Sequence, residues 1–168
     1  MGTRGLFGFY HKGKFYVVYN HFDSYQSGLG AAIAREVAEA GPDGIVRWKK
    51  ALDRGRIIVV SVSDGDAPKP TAEDIQRLAP YTNTDVGVQT LADWYVLTHK
   101  CQGSLVRVME SGYLLNHVDP RGKPMWEEHA YIVDLDRGEF KHYVGRTLAR
   151  ARRLADVTAA MFEGDLDV

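Results

Sequence analysis

The sequence predicts an α+β domain, an antiparallel sheet built from two hairpins with helices packed on it. Three observations carry this. Leu6–His11 and Phe15–His21 are aromatic, β-branched runs separated by Lys12-Gly13-Lys14, which is a hairpin pattern. Met125–Leu135 and Glu139–Val144 repeat it around Asp136-Arg137-Gly138. Between the two lie about 100 residues of mostly helical segments, with strands too few and too hairpin-like for a doubly wound parallel sheet.

The intervening elements follow in order. Leu29, Ile33, Val37 and Ala40 recur at helical spacing, with Arg35, Glu36 and Glu39 facing away. Gly41-Pro42-Asp43-Gly44 stops that helix, and Ile45–Leu52 suits a shorter one. Arg56–Ser63 is β-branched and strand-like, and Asp64–Pro70 is a loop. Thr71 followed by Asp74 is a capping arrangement for a helix through Leu78. Tyr81–Gln89 is irregular. Asp93–Lys100 is helical, with Trp94, Leu97 and Cys101 near one side, and Gly103 breaks it. Ser104 caps a short helix that Gly112 ends. Asp119–Pro124 is a loop, Arg146–Phe162 is expected to be a final helix, and residues 163–168 a flexible tail on a single domain of residues 1–162.

With 45% apolar and 26% charged residues, the 168-residue chain has a globular composition. The 21 basic and 22 acidic residues give a net charge of −1, so no nucleic-acid partner is expected. Cys101 stands alone, which excludes an internal disulfide or a CxxC metal knuckle and fits a reducing, cytoplasmic setting. No run approaches the roughly 18 apolar residues that cross a bilayer, so no membrane partner is expected. No cofactor fingerprint is present, and none is expected to bind.

The densest polar cluster is Tyr19–Tyr25, at the end of the second strand. Alternation along a strand puts Tyr19, His21 and, if the strand continues, Asp23 on one face. A carboxylate beside His21 would fix its tautomer and raise its basicity, as a general base requires. The structural alternative is a loop in which Asp23 accepts backbone N–H bonds and the tyrosines pack. Ser27-Gly28-Leu29-Gly30 opens the first helix, where free N–H groups can hold an anion, or where glycine serves only the helix entry. Arg4, leading into the neighbouring strand, is a second anion partner.

The remaining candidates read mainly as structure. His21 and Asp23, with Glu127, Glu128 and His129, are residue types that bind zinc, but without a known ligand spacing, and no metal site is assigned. Cys101, among Trp94, Leu97 and Leu105, reads as a buried small hydrophobe. Thr3 would be a nucleophile only if cleavage exposed its amine. Arg146, Arg150, Arg152 and Arg153 make a basic stretch that is either a solvated helix surface or a docking face for an acidic partner. Trp126 and Tyr131 are expected to pack in the sheet.

Thr3-Arg4-Gly5, Tyr19–Gly30 (YNHFDSYQSGLG), Asp93-Trp94-Tyr95 and Ala130–Phe140 (AYIVDLDRGEF) resemble a family of small uncharacterised proteins of bacteria and phages, with similar segments in fungi. That family usually has Pro where Gln26 stands here. The resemblance implies no activity, but it groups Arg4, His21, Asp23 and Tyr25 as one site. The layout of Met1-Gly2-Thr3, hairpin, then Asn20-His21-Phe22-Asp23 is also similar to the N-terminal-nucleophile amidohydrolases, such as the choloylglycine hydrolases. Gly2 stands where their nucleophilic cysteine would be, so that likeness implies a scaffold without the usual reaction.

The expected function is therefore small-molecule binding, of an anionic, nucleotide-like or amide-like ligand. The cleft would be lined by Arg4, Asn20, His21, Asp23, Tyr25, Ser27, Gly28 and Gly30. Any catalysis would be a hydrolysis, with His21 or Asp23 activating water. The alternative is a phage or mobile-element protein that binds and inhibits a host defence protein through exposed aromatics and the arginine stretch, without catalysis.

Overall fold

The computed structural model describes residues 2–62 and 67–164. Most of the expected tail, residues 165–168, and residues 63–66 of the strand end and loop expected there lie outside this range; Glu163 and Gly164 close a turn.

The fold is α+β. Strands β1 (Gly5–His11) and β2 (Lys14–Asn20) form the first hairpin. Its turn places Lys12 (φ 51°) and Gly13 (φ 75°) in the left-handed region, the geometry of a tight two-residue hairpin loop. Helix α1 (Ala31–Asp53) follows, interrupted at Gly41 (φ 62°, ψ −173°) with Pro42 opening its second half, so the two expected helices are nearly continuous. Next come β3 (Ile58–Ser61), α2 (Ala72–Leu78), α3 (Trp94–Leu97) and α4 (Leu105–Ser111). The expected caps are present: Thr71 and Asp74 form a capping box, Ser104 accepts from the Arg107 N–H, and Gly112 ends α4 at φ 77°. Strands β4 (Tyr113–Asn116), β5 (His129–Asp134), β6 (Glu139–Val144) and β7 (Thr147–Arg153) complete the chain.

The main sheet has the order β2-β1-β5-β6-β7, and β3 and β4 form a separate parallel pair. Within each hairpin the pairing is antiparallel, but the join between them, β1 with β5, is parallel. The first strands of the two hairpins lie side by side, and the long crossover between them makes this possible.

Three local expectations are corrected. The final helix over Arg146–Phe162 is instead β7 followed by a 3-10 turn at Leu154–Asp156. Gly145 (φ 58°) turns the chain back onto β6, and cross-strand pairing such as Phe140 with Arg152 overrides a helix-compatible composition. The arginines are therefore not a helical face: Arg153 pairs with Asp156 at 2.8 Å, and Arg150 donates to the Met161 carbonyl and lies over the Phe162 ring. Strand β4 had no sequence signal. The second long strand begins only at His129.

Alternation gives the main sheet two buried faces. Phe7, Phe9, Tyr131, Val133 and Phe140 face α1, where they meet Leu29, Ile33, Val37 and Trp48. Leu6, Val17, Ala130 and Ile132 point to the outer face, covered by Val118 and Trp126. Cys101 is buried as expected, and burial pushes its thiol up to about 11. Glu36 reaches from α1 to the start of α4, accepting from the Leu105 N–H at 2.6 Å and the Ser104 hydroxyl at 2.5 Å. None of the helices among the described residues is long and apolar enough to cross a membrane.

Hydrogen bonds to the folded-state carboxylates set an acid limit. Asp74 is held below its ordinary value of 3.8 by the Tyr113 hydroxyl and Thr71, and Asp136 by the Lys12 and Gly13 N–H groups. Asp119 is lowered by the Lys123 N–H, and Asp53 by bonds from Lys12 and His11. A lowered carboxyl stabilises the fold above its unfolded value and loses that contribution as pH falls through the folded one. Glu36 and Glu127, raised by burial, act in the opposite sense, but only above their ordinary 4.5. The urea midpoint is thus expected to decline below about pH 4, modestly, because these carboxylates lie near the surface and are screened by solvent. A midpoint unchanged down to about pH 2 would contradict this assignment.

Candidate functional site

The end of the first hairpin divides its polar residues between the two sheet faces. Asn20 turns inward and is buried, donating to the Phe22 carbonyl at 2.6 Å and the Ser24 hydroxyl at 3.0 Å. The Ser24 N–H is bound by the Thr3 carbonyl at 3.2 Å, and the Tyr131 hydroxyl donates to the Ser24 carbonyl at 2.9 Å. Thr3 is itself buried. Tyr25 presents its ring edge-on to His129 at 6.5 Å. Asn20, Ser24 and Tyr25 thus lock the loop onto the α1 side of the sheet.

Asp23 is exposed at φ 52°, so strand alternation ends before it and its carboxylate does not pair with His21. Its carbonyl accepts the Leu29 N–H at 2.8 Å. A Cβ on Gly28 would lie 2.2 Å from that oxygen, and one on Gly30 would lie 2.7 Å from the Tyr131 ring. The Gly28 and Gly30 N–H groups both bond to the Tyr25 carbonyl at 3.1 Å. The entry, a π-helical turn over Gln26–Gly30, therefore uses these donors within its own loop, and Ser27 lies exposed on it.

Arg4 and His21 lie on the outer side, where a different constellation forms around Tyr19. The Tyr19 hydroxyl and His21 Nδ1 share a 2.8 Å hydrogen bond. The His21 backbone N–H donates to Gln102 Oε1 at 2.9 Å, which fixes the chain as it leaves β2. Phe22, 59% exposed, stands edge-on to the His21 ring at 4.3 Å. The His117 ring lies 5.3 Å from that of Tyr19, and its Nε2 is 3.9 Å from Glu127 Oε1. Arg4 is exposed, with its backbone N–H on Glu128 Oε1. On a neighbouring wall, His99 bonds to Asn83 at 3.3 Å and packs against Tyr95.

The electrostatics link these groups. Burial raises the Tyr19 hydroxyl, opposed by Arg4 and reinforced by Glu127 and Tyr95. Burial also raises Glu127, again opposed by Arg4, while Glu128 adds to the rise. His117 is lowered by burial, and His99 by burial and then by the charge of His21. Imidazoles held towards neutrality at His99 and His117, a protonated phenol and a guanidinium thus share one partly exposed surface with His21. The arrangement can hold an anion at Arg4 and pass a proton through the Tyr19–His21 bond.

Glu127, Glu128 and His129 do not converge. Glu127 meets His117, Glu128 is exposed beside Arg4, and His129 turns inward to bond His142 Nε2 at 3.0 Å, both rings buried and stacked. Among the described residues, no group of three or more His, Cys, Asp or Glu side chains is placed to hold a metal ion. His99 and His117 carried no sequence signal because they reach the site from segments about 80 to 100 residues away from Tyr19, through long-range packing alone. No family model matches the chain, and no curated protein or solved structure matches it.

Proposed function

We propose that the protein binds a small molecule on the outer face of the main sheet, at Arg4, Tyr19 and His21. The observation that carries this is the 2.8 Å Tyr19–His21 bond under the influence of Arg4, beside the exposed Phe22 ring. The ligand carries an anionic group for Arg4 and an amide or hydroxyl for the Tyr19–His21 pair, and Phe22 supplies an apolar wall. Any turnover is a hydrolysis in which His21 takes a proton from water and Tyr19 orients the imidazole. Asp23 has no part in that relay, because it makes no bond to His21.

N-acetyl amino acids carry both groups and serve as the probe. At a concentration about 100-fold above Kd, binding stabilises by about 2.7 kcal/mol, or roughly 5–10 °C in melting temperature for a chain of this size. Arg4→Gln and Tyr19→Phe are each expected to abolish that shift while the unliganded melting temperature stays within about 2 °C of the parent. A shift that survives both exchanges, or no shift with any N-acetyl amino acid, sinks this reading.

A further inference from the structure

At the opposite end of the first hairpin lies a cleft of about 590 Å³. It is bounded by the hairpin turn, β2, Val59 of β3, Asn116 of β4 and the loop from Val118 to Lys123. Its volume falls within the ~300–1,000 Å³ typical of small-molecule sites. Lys14, Arg121 and Lys123 line it, and no acidic side chain does so among the described residues. In a chain of net charge −1, that is a local concentration of one sign.

A carboxylate holds each cation-bearing loop, Asp119 from within its own loop and Asp136 from the turn of the second hairpin. Asp119 Oδ1 accepts from the Arg121 N–H at 2.8 Å and the Lys123 N–H at 3.0 Å, and the Asp119 N–H bonds to the Lys123 carbonyl at 2.7 Å. The hairpin turn is fixed by Asp136, which accepts from Lys12 at 2.7 Å and Gly13 at 3.0 Å. Arg121 spends part of its charge on Asp119, at 3.1 Å. Lys14 and Lys123 have no ion-pair partner among the described residues, so the carboxylates that order the loops leave two ammonium groups unmatched. Tyr10, Phe15 and Tyr16 complete the lining, and the first two rings stand 4.7 Å apart.

We infer that this cleft binds a nucleoside monophosphate, with the phosphate between Lys14 and Lys123 and the base against the aromatic wall. Ammonium groups recognise the dianion as point charges, and aromatic side chains accept a flat base without reading its edge. The site is separate from the Arg4–Tyr19–His21 surface and does not depend on it.

Calorimetric titration of the full chain with AMP tests this, with inorganic phosphate and adenosine as the two half-ligands. AMP is expected to bind more tightly than either, with an affinity that falls as salt rises. The double exchange Lys14→Gln with Lys123→Gln should weaken AMP by about tenfold or more, at one charge-assisted bond each. Both side chains are exposed, so the melting temperature should hold; if the double variant does not fold, each single exchange carries the test. Tyr19→Phe should leave AMP affinity unchanged. The inference is overturned if AMP does not bind at about 10 mM, if adenosine binds equally well, or if the lysine exchanges have no effect. Loss of AMP binding in Tyr19→Phe alone would likewise overturn it and move the nucleotide to the other site.

Discussion

Gly28→Ala is expected to destabilise the protein by about 3 kcal/mol, lowering its melting temperature by roughly 6–12 °C. The added methyl would sit 2.2 Å from the Asp23 carbonyl oxygen, which is backbone and held in place by the Leu29 N–H. Asp23 cannot easily give way, because its φ of 52° already lies in the left-handed region. The loop would have to release Leu29 and, with it, the packing of α1 on Tyr131. Asp23→Asn tolerates the same backbone conformation and should leave the melting temperature nearly unchanged. A neutral Gly28→Ala would show that the loop does not close as described.

Asn116→Leu should cost a similar amount, about 3 kcal/mol, read as a lower urea midpoint at unchanged slope. Asn116 is the fastener between the two sheets. Its Oδ1 accepts the Val17 N–H at 2.8 Å and its Nδ2 donates to the Phe15 carbonyl at 3.1 Å, so a side-chain amide stands in for a strand partner at the open edge of β2. The His117 N–H on the Val17 carbonyl at 2.7 Å continues the join. Leucine keeps the branched skeleton with bulkier methyl ends and leaves the buried Val17 N–H without an acceptor. The same join carries His117 to Tyr19, so the variant is expected to weaken ligand binding at the outer face as well.

What could be read from the sequence was local. The two hairpins, the Thr71–Asp74 capping box and the Ser104 and Gly112 ends of α4 each rest on residues within a few positions of one another, and each is present. The parallel β1–β5 pairing and β4 depend on partners far along the chain, whereas β7 pairs with the adjacent β6 across Gly145 and Arg146 and is hidden by its composition. For β7 in particular, a run of Leu, Ala and Arg suits a helix until pairing with β6 decides otherwise. The site divides along the same line. Alternation correctly put Tyr19 and His21 on one face, but the left-handed Asp23 breaks the pattern one residue beyond Phe22. The acid near the Tyr19–His21 pair is instead Glu127, beside His117, brought there by the fold rather than by spacing. Asn20, Gly28 and Gly30, grouped with the site by position, serve the inward loop.

The central claim is that a ligand sits beside the Tyr19–His21 pair on the outer face. The six histidines of the chain report on it separately in a 1H–15N imidazole spectrum recorded with and without a saturating N-acetyl amino acid. The resonances of His21 and His117 are expected to move, those of the buried His129–His142 pair to stay, and Tyr19→Phe to abolish the change. Unmoved His21 and His117 resonances, with or without movement at His129 and His142, would contradict the claim.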